Sequence, residues 1–81
     1  MPPALFRTGP YRFYMVSADQ GERPHVHVER DGARAKFWID RVESERNMGF
    51  PRDELRRIER LVEQHQAELL ERWNEYFSRD L

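Results

Sequence analysis

The hydrophobic pattern of this chain changes period near Phe50, and this change most limits the folds that it can adopt. Before Phe50, short segments alternate apolar and polar side chains, as half-buried β-strands do. After Pro51, apolar residues recur at spacings of three or four, as on one face of an α-helix. No glycine or proline interrupts residues 52–77. The sequence therefore predicts an α+β fold in which strands precede a helical segment.

Three segments of the first half have strand patterns. Residues 11–18, 25–29 and 33–40 are expected to be strands, and residues 41–47 are a fourth candidate, at the edge of the sheet. Asp31-Gly32 is the clearest hairpin signal, because glycine accepts the positive φ of a tight turn. We therefore expect an antiparallel meander of three or four strands with the helical segment packed on one of its faces.

The helical segment, about residues 51–78, is longer than such a sheet. A continuous helix over residues 52–77 would be roughly 39 Å long at 1.5 Å per residue, whereas a strand of five or six residues covers about 17–20 Å. Either the helix extends past the sheet or it breaks near His65. In the first case three aromatic residues near the end of the chain need another surface to cover them, which makes them candidates for a partner interface: Trp73, Tyr76 and Phe77.

Length and composition limit the class of protein. Eighty-one residues are expected to form one domain over residues 1–81. The absence of cysteine excludes disulfides and thiolate chemistry and favours a cytoplasmic location. Residues 1–3 (Met-Pro-Pro) lack the basic-then-apolar layout of a signal peptide, and no apolar run is long enough to span a membrane. No cofactor is expected.

The cations are almost all arginine, although the formal net charge is only −1. Arginine suits bidentate contact with phosphate or carboxylate. Arg52, Arg56 and Arg60 are spaced four residues apart near the start of the predicted helix. They are candidates for contact with nucleic-acid phosphates or with an acidic partner. The alternative is a solvated helix surface whose charges pair internally.

His25 and His27 are the residues most suggestive of chemistry. Residues two apart in a strand share a face, so the two imidazoles are expected to project together. They are candidate catalytic residues for acid–base cleavage of RNA. They are also half of a candidate metal site, which Asp19, Glu29 or His65 would complete. The third interpretation is that both make ordinary polar contacts on the open side of the sheet.

Lys36 and Trp38 share a face of the third predicted strand. If that strand pairs with the histidine strand across Asp31-Gly32, one surface carries histidine, aromatic and cationic groups together. Such a surface can stack bases or be buried by a partner protein. Lys36 and Trp38 are therefore candidates for nucleic-acid contact.

These segments together resemble the small bacterial proteins of domain-of-unknown-function family 4160, over about Tyr11 to Tyr76. The matching features are an Asp-containing loop, a P-H-x-H-V strand, a glycine turn, a strand ending in Ile-Asp, a proline at the helix start and an H-x-x-E-L-L-x-x-W segment. In this chain they are Asp19, residues 24–28 (PHVHV), Gly32, Ile39-Asp40, Pro51 and residues 65–73 (HQAELLERW). Many relatives have a histidine just after the Asp, where this chain has Gln20, which argues against a three-histidine metal site.

The resemblance implies a role in a two-gene, toxin–antitoxin-like module. Our first expectation is therefore a small protein-interaction domain that binds a second small protein or itself. The second is an RNA-acting toxin, either a ribonuclease or an RNA binder, that uses His25 and His27 with Arg52, Arg56 and Arg60. The third is a metal-binding domain with His25, His27 and Asp19 as ligands.

Overall fold

The computed structural model describes residues 4–16 and 21–77, with side chains from Phe6 onward. The described part contains an antiparallel sheet in which every strand pairs with its neighbours in sequence. The α+β class and the meander are therefore confirmed, but the sheet has five strands rather than three or four. They are β1 (Ala4–Thr8), β2 (Tyr11–Tyr14), β3 (His25–Arg30), β4 (Ala33–Trp38) and β5 (Glu43–Met48).

The additional strand, β1, was not predicted from the sequence. It pairs with β2 through a two-residue turn, in which Gly9 has φ of +58° and Thr8 faces Tyr11. The positive φ of Gly9 allows the chain to reverse within two residues. The segment before this turn, residues 4–8 (ALFRT), has three apolar residues followed by two polar ones, so it lacks the alternation by which the other strands were predicted.

The β3–β4 hairpin forms where Asp31-Gly32 predicts it. Both turn residues have positive φ, +50° at Asp31 and +85° at Gly32, and Arg30 pairs with Ala33 across the turn. This register places His25 opposite Trp38 and His27 opposite Lys36. The hairpin therefore brings the predicted histidine and cation–aromatic segments onto one surface.

The helical segment is divided at His65, as the second sequence alternative predicts. The helices are α1 (Arg52–Gln64) and α2 (Gln66–Phe77). His65 has φ of −104° and ψ of 12°, and its backbone N–H donates to Leu61 and Val62. The side chain of Gln66 then donates to the carbonyl oxygen of Ile39 over 2.9 Å, which attaches the start of α2 to the end of β4. Neither helix is long and apolar enough to cross a membrane.

The core lies between one face of the sheet and the two helices. Its largest fully buried side chains come from alternate strand positions and from the apolar stripe of the helices, as a half-buried sheet requires. They are Phe13, Met15, Val26, Val28, Phe37, Ile39, Ile58, Val62 and Leu69. His25 is also fully buried, although its position in β3 is on the other face, with His27. The opposite face, called the open face below, carries Arg12, Tyr14, His27, Glu29, Arg34, Lys36 and Arg46. That residues 1–81 form one domain stays a prediction.

An ion-pair network attaches the start of α1 to the sheet. Arg30 donates to both carboxylate oxygens of Glu54, over 2.7 and 2.8 Å, and the hydroxyl of Tyr11 donates to the same carboxylate over 2.8 Å. The Arg30 guanidinium, with the Tyr11 hydroxyl, lowers the pKa of Glu54. Burial and the neighbouring carboxylate raise the pKa of Tyr11. The network sets the position of α1 on the helix-covered side of the sheet.

Candidate functional site

The two strand histidines lie side by side but differ in exposure. Their ring centroids are 5.1 Å apart with an interplanar angle of 85°. The His25 side chain is fully buried, whereas His27 is half-buried and stacks on Tyr14 with a centroid distance of 5.2 Å. The expectation that both project together agrees with this geometry. The interpretation that both line an exposed surface is wrong for His25.

His25 is a packed residue that joins the sheet to α2. Its ring lies 5.1 Å from that of Trp73 and 5.8 Å from that of Trp38. Nδ1 is 2.8 Å from the carbonyl oxygen of Arg23. Because a carbonyl can only accept, Nδ1 donates there, and the neutral ring carries its lone pair on Nε2. With no exposed surface, His25 cannot touch a substrate that approaches from solvent.

The structure describes some, but not all, of the residues that were predicted as metal ligands. No group of three His, Cys, Asp or Glu side chains within residues 6–16 and 21–77 has an arrangement that could hold a metal ion. Asp19 lies outside the described residues. Glu29 instead accepts from Arg12 over 2.7 Å, and His65 packs against Phe6 and lies 3.4 Å from Glu68.

Trp38 and Lys36 lie together beside the histidines, as predicted. Trp38 is half-buried, the Arg23 guanidinium lies 4.5 Å from the centroid of its ring, and Lys36 Nζ lies 5.0 Å from it. Asp40 accepts from Arg23 Nε over 2.9 Å at each oxygen, and this guanidinium lowers the pKa of Asp40. The chain's own cations thus already cover part of the Trp38 ring, which leaves less of it for stacking a base.

A pocket of about 300 Å³ lies on the open face next to His27. We call it the open-face pocket, and its wall includes three cations, two ring residues and two apolar side chains. They are Arg34, Lys36, Arg46, Tyr14, His27, Val16 and Met48. Of these, the sequence analysis identified only Lys36 and His27 as site residues. The two-residue spacing of Arg34 and Lys36 was a usable signal, but the position of Arg46 depends on the β4–β5 register.

The three cations of the open-face pocket are brought together by strand pairing. Lys36 lies directly opposite Arg46, a position in which Cβ atoms are about 5 Å apart. Arg34 is two residues along β4, on the same face as Lys36. Glu22 lies 3.4 Å from Lys36 and Glu45 lies 3.9 Å from Arg46. Arg34 forms no ion pair with any residue that the structure describes.

The arginines of α1 lie elsewhere. Arg52, Arg56 and Arg60 are exposed on a helix that packs on the opposite side of the sheet from the open face. They form no ion pairs within the described ranges. The structure therefore does not bring them together with His27 or Lys36. The RNA-acting site predicted from the sequence would need residues from two opposite sides of the molecule.

The aromatic residues at the end of α2 also separate. Trp73 is 6% exposed and packs on His25 and on Phe77, whose ring centroid is 4.2 Å away. Tyr76 and Phe77 are half-buried and contact each other at 4.8 Å. Trp73 is therefore covered within the chain, and of the three predicted interface residues, Tyr76 and Phe77 are those that keep exposed surface in the part of the chain that the structure describes.

Fold and site together define a small α+β domain with helices on one sheet face and a cation-lined pocket on the other. The sequence matches the family described as Domain of unknown function (DUF4160) over residues 11–74. The chain belongs to this family. A search of curated proteins and a search of solved structures each found no match to the chain.

Proposed function

We propose that this chain is an RNA-binding domain whose contact surface is the open face of its sheet. The observation that supports the proposal is the convergence of Arg34, Lys36 and Arg46 on the open-face pocket. Like charges opposite each other on a sheet are unfavourable, and an anion that binds between them removes this cost. Arginine and lysine neutralise phosphates, which supply most of the affinity of nucleic-acid binding.

Binding is favoured over cleavage because of the burial of His25. Acid–base cleavage by the two histidines requires both rings to reach the reacting phosphodiester. His25 has no exposed surface, and its ring packs against the rings of Trp38 and Trp73. The proposal therefore assigns His25 to the fold and His27 to the wall of the binding surface.

Fluorescence anisotropy with a labelled single-stranded RNA tests the proposal. We expect Arg34→Ala to weaken binding and to lower the slope of log Kd against log salt by about 0.7, the value for one lost phosphate contact on a single strand. Arg56→Ala is the matched control, because it removes the same charge from the opposite side of the molecule. Equal losses in the two variants, or no RNA binding by the wild type, would contradict the proposal.

A second candidate function is the protein-interaction role in a toxin–antitoxin-like pair. Two features support it: the half-buried rings of Tyr76 and Phe77, and the edge strand β5, in which every residue is exposed. Unpaired strand edges and aromatic side chains are common in protein interfaces. We also propose a cytoplasmic location for the pair, on the ground that the chain contains no cysteine.

Size-exclusion chromatography with the product of the neighbouring gene tests the second candidate. We expect a complex at micromolar concentration that Tyr76→Ala weakens and that the exposed control Asn74→Ala leaves intact. If the wild type elutes as a monomer both alone and in the mixture, the interaction role is wrong.

A further inference from the structure

The open-face pocket has the size of a site for one small group rather than a channel for a strand. Its volume of about 300 Å³ is at the lower end for ligand sites, which span about 300–1,000 Å³. An internal phosphodiester requires the chain to enter and leave the place where the phosphate binds. The end of a chain requires only one opening.

The pocket wall holds three cationic side chains, and an internal phosphodiester carries the charge to neutralise one of them. Arg34, Lys36 and Arg46 contribute three formal positive charges. The Glu22 side chain, 49% exposed, lies 3.4 Å from Lys36, and the Glu45 side chain, 30% exposed, lies 3.9 Å from Arg46. An internal phosphodiester carries one negative charge, whereas a phosphomonoester carries about −1.5 to −2 near neutral pH. A terminal phosphate can therefore balance more of the three cationic charges than an internal phosphodiester can.

The remaining walls suit the nucleoside to which such a phosphate is attached. Val16 and Met48 supply apolar surface, and Met48, 59% exposed, is the large apolar side chain that the described structure leaves open to solvent. Tyr14 and His27, whose rings stack on each other, also line the pocket. A concave site with a few charged groups and apolar walls is the usual composition of a small-ligand pocket.

From these observations we infer that the open-face pocket binds the terminal phosphomonoester of an RNA strand. Arg34, Lys36 and Arg46 contact the phosphate, and Val16 and Met48 contact the attached nucleoside. This inference rests on the proposed function, because it takes RNA as the ligand and names the part of the RNA that is recognised. No bond is made or broken in this step.

The test compares oligonucleotides of one sequence with different ends. An eight-residue RNA is prepared with a 5′-phosphate, with a 3′-phosphate, or with hydroxyl groups at both ends, and each is titrated against the full chain. We expect one of the phosphorylated forms to bind about tenfold or more tightly than the hydroxyl form, and the two arms identify which end is read. We expect Arg46→Gln to reduce this advantage to about twofold or less, as the loss of a charge-assisted contact predicts.

Arg60→Gln is the matched control, since it changes an exposed arginine on the side of the molecule away from the pocket. We expect this variant to bind the phosphorylated RNA more tightly than the hydroxyl form by the same factor as the wild type. Thermal unfolding of both variants detects any loss of folding. If Arg46→Gln fails to fold, Arg34→Gln, which changes a different strand, replaces it in the same comparison.

Uridine 5′-monophosphate and uridine, titrated against the wild type, separate the inference from the proposed function. If the phosphorylated and hydroxyl RNAs bind equally, the inference is overturned and RNA binding stands. If the mononucleotide binds through the pocket cations but no oligonucleotide binds, RNA binding is overturned and a phosphomonoester site stands. If neither the RNAs nor the mononucleotide binds, both are wrong.

Discussion

At the scale of single residues, His25 shows how burial decides what a side chain can do. Its spacing from His27 indicates a shared face, and the rings are indeed adjacent. Trp73 covers one of them and leaves the other half-buried. Two histidines that are equivalent in the sequence pattern thus become a core residue and a wall of a pocket.

We expect His25→Ala to lower the free energy of unfolding by about 2–4 kcal/mol, because it leaves a cavity among Trp38, Trp73 and His27. His27→Ala, at a half-buried position on the same strand, should cost clearly less. Urea unfolding at pH 7 measures both. Equal costs would show that the contact between His25 and α2 contributes little to stability.

Gly49 is a second position where a single residue decides the local backbone. Its φ is +108°, and an added Cβ would lie 3.1 Å from the Cβ of Ala33. Just before it, Asn47 exchanges two hydrogen bonds with the backbone of Phe50 and closes the turn into α1. Glycine is therefore required here for both conformation and space.

Gly49→Ala should lower the free energy of unfolding by about 1–3 kcal/mol, the usual cost of a strained backbone conformation. Gly9→Ala is the matched control, because Gly9 also has a positive φ but has open space around it. Thermal unfolding measures the stability of both variants, and we expect Gly49→Ala to be the more destabilised of the two. A smaller effect at Gly49 than at Gly9 would mean that the contact with Ala33 relaxes without cost.

At the scale of elements, α1 is held to the sheet by charges as well as by apolar packing. Arg30 on β3 and Tyr11 on β2 both bind the Glu54 carboxylate in the first turn of α1. A carboxylate in the first turn of a helix also interacts favourably with the helix dipole. The sequence pattern shows where α1 begins but not which strand residues its first turn meets.

This network makes the free energy of unfolding fall as the pH is lowered into the acid range. The pKa of Glu54 is lower in the folded chain than its ordinary value of about 4.5, so the folded state binds fewer protons at this group than the unfolded state. Its contribution is present above that ordinary value and is lost as the pH falls through the lowered pKa. Asp40, held by Arg23, acts in the same direction.

We therefore expect the urea midpoint to fall between about pH 5 and pH 3, and to fall less steeply in Glu54→Gln than in the wild type. Glu71→Gln, which changes an exposed carboxylate with no ion pair among the described residues, should keep the wild-type slope. A Glu54→Gln profile parallel to that of the wild type would contradict the assignment of the pKa shift to this network.

At the scale of the whole molecule, the break at His65 allows α2 to close the end of the sheet. Gln66 bonds to the end of β4, and Trp73, two turns later, packs on the first residue of β3. One straight helix of this length would have extended past the sheet. The two short helices instead cover one sheet face, while Trp73 also covers His25 at the start of β3, and the cations of the open face stay accessible.

Removing the Trp73 ring should therefore weaken the whole fold. We expect Trp73→Ala to lower the free energy of unfolding by about 3–5 kcal/mol, whereas Tyr76→Ala, at a half-buried position on the same helix, should cost less. Denaturant unfolding followed by circular dichroism measures both. A Trp73→Ala variant as stable as Tyr76→Ala would mean that the end of α2 does not contribute to the core.

The amino-acid pattern alone determined that strands precede the helical segment, the Asp31-Gly32 hairpin and the shared face of His25 and His27. These features follow from local rules: two-residue and 3.6-residue periods, and the conformational freedom of glycine. The tertiary structure alone decided that Trp73 buries His25, that Arg46 joins Arg34 and Lys36, and that the α1 arginines lie on the other side. Those outcomes depend on strand register and helix packing. Both bring together residues that are far apart in the sequence, and neither produces a periodic pattern from which it could be predicted.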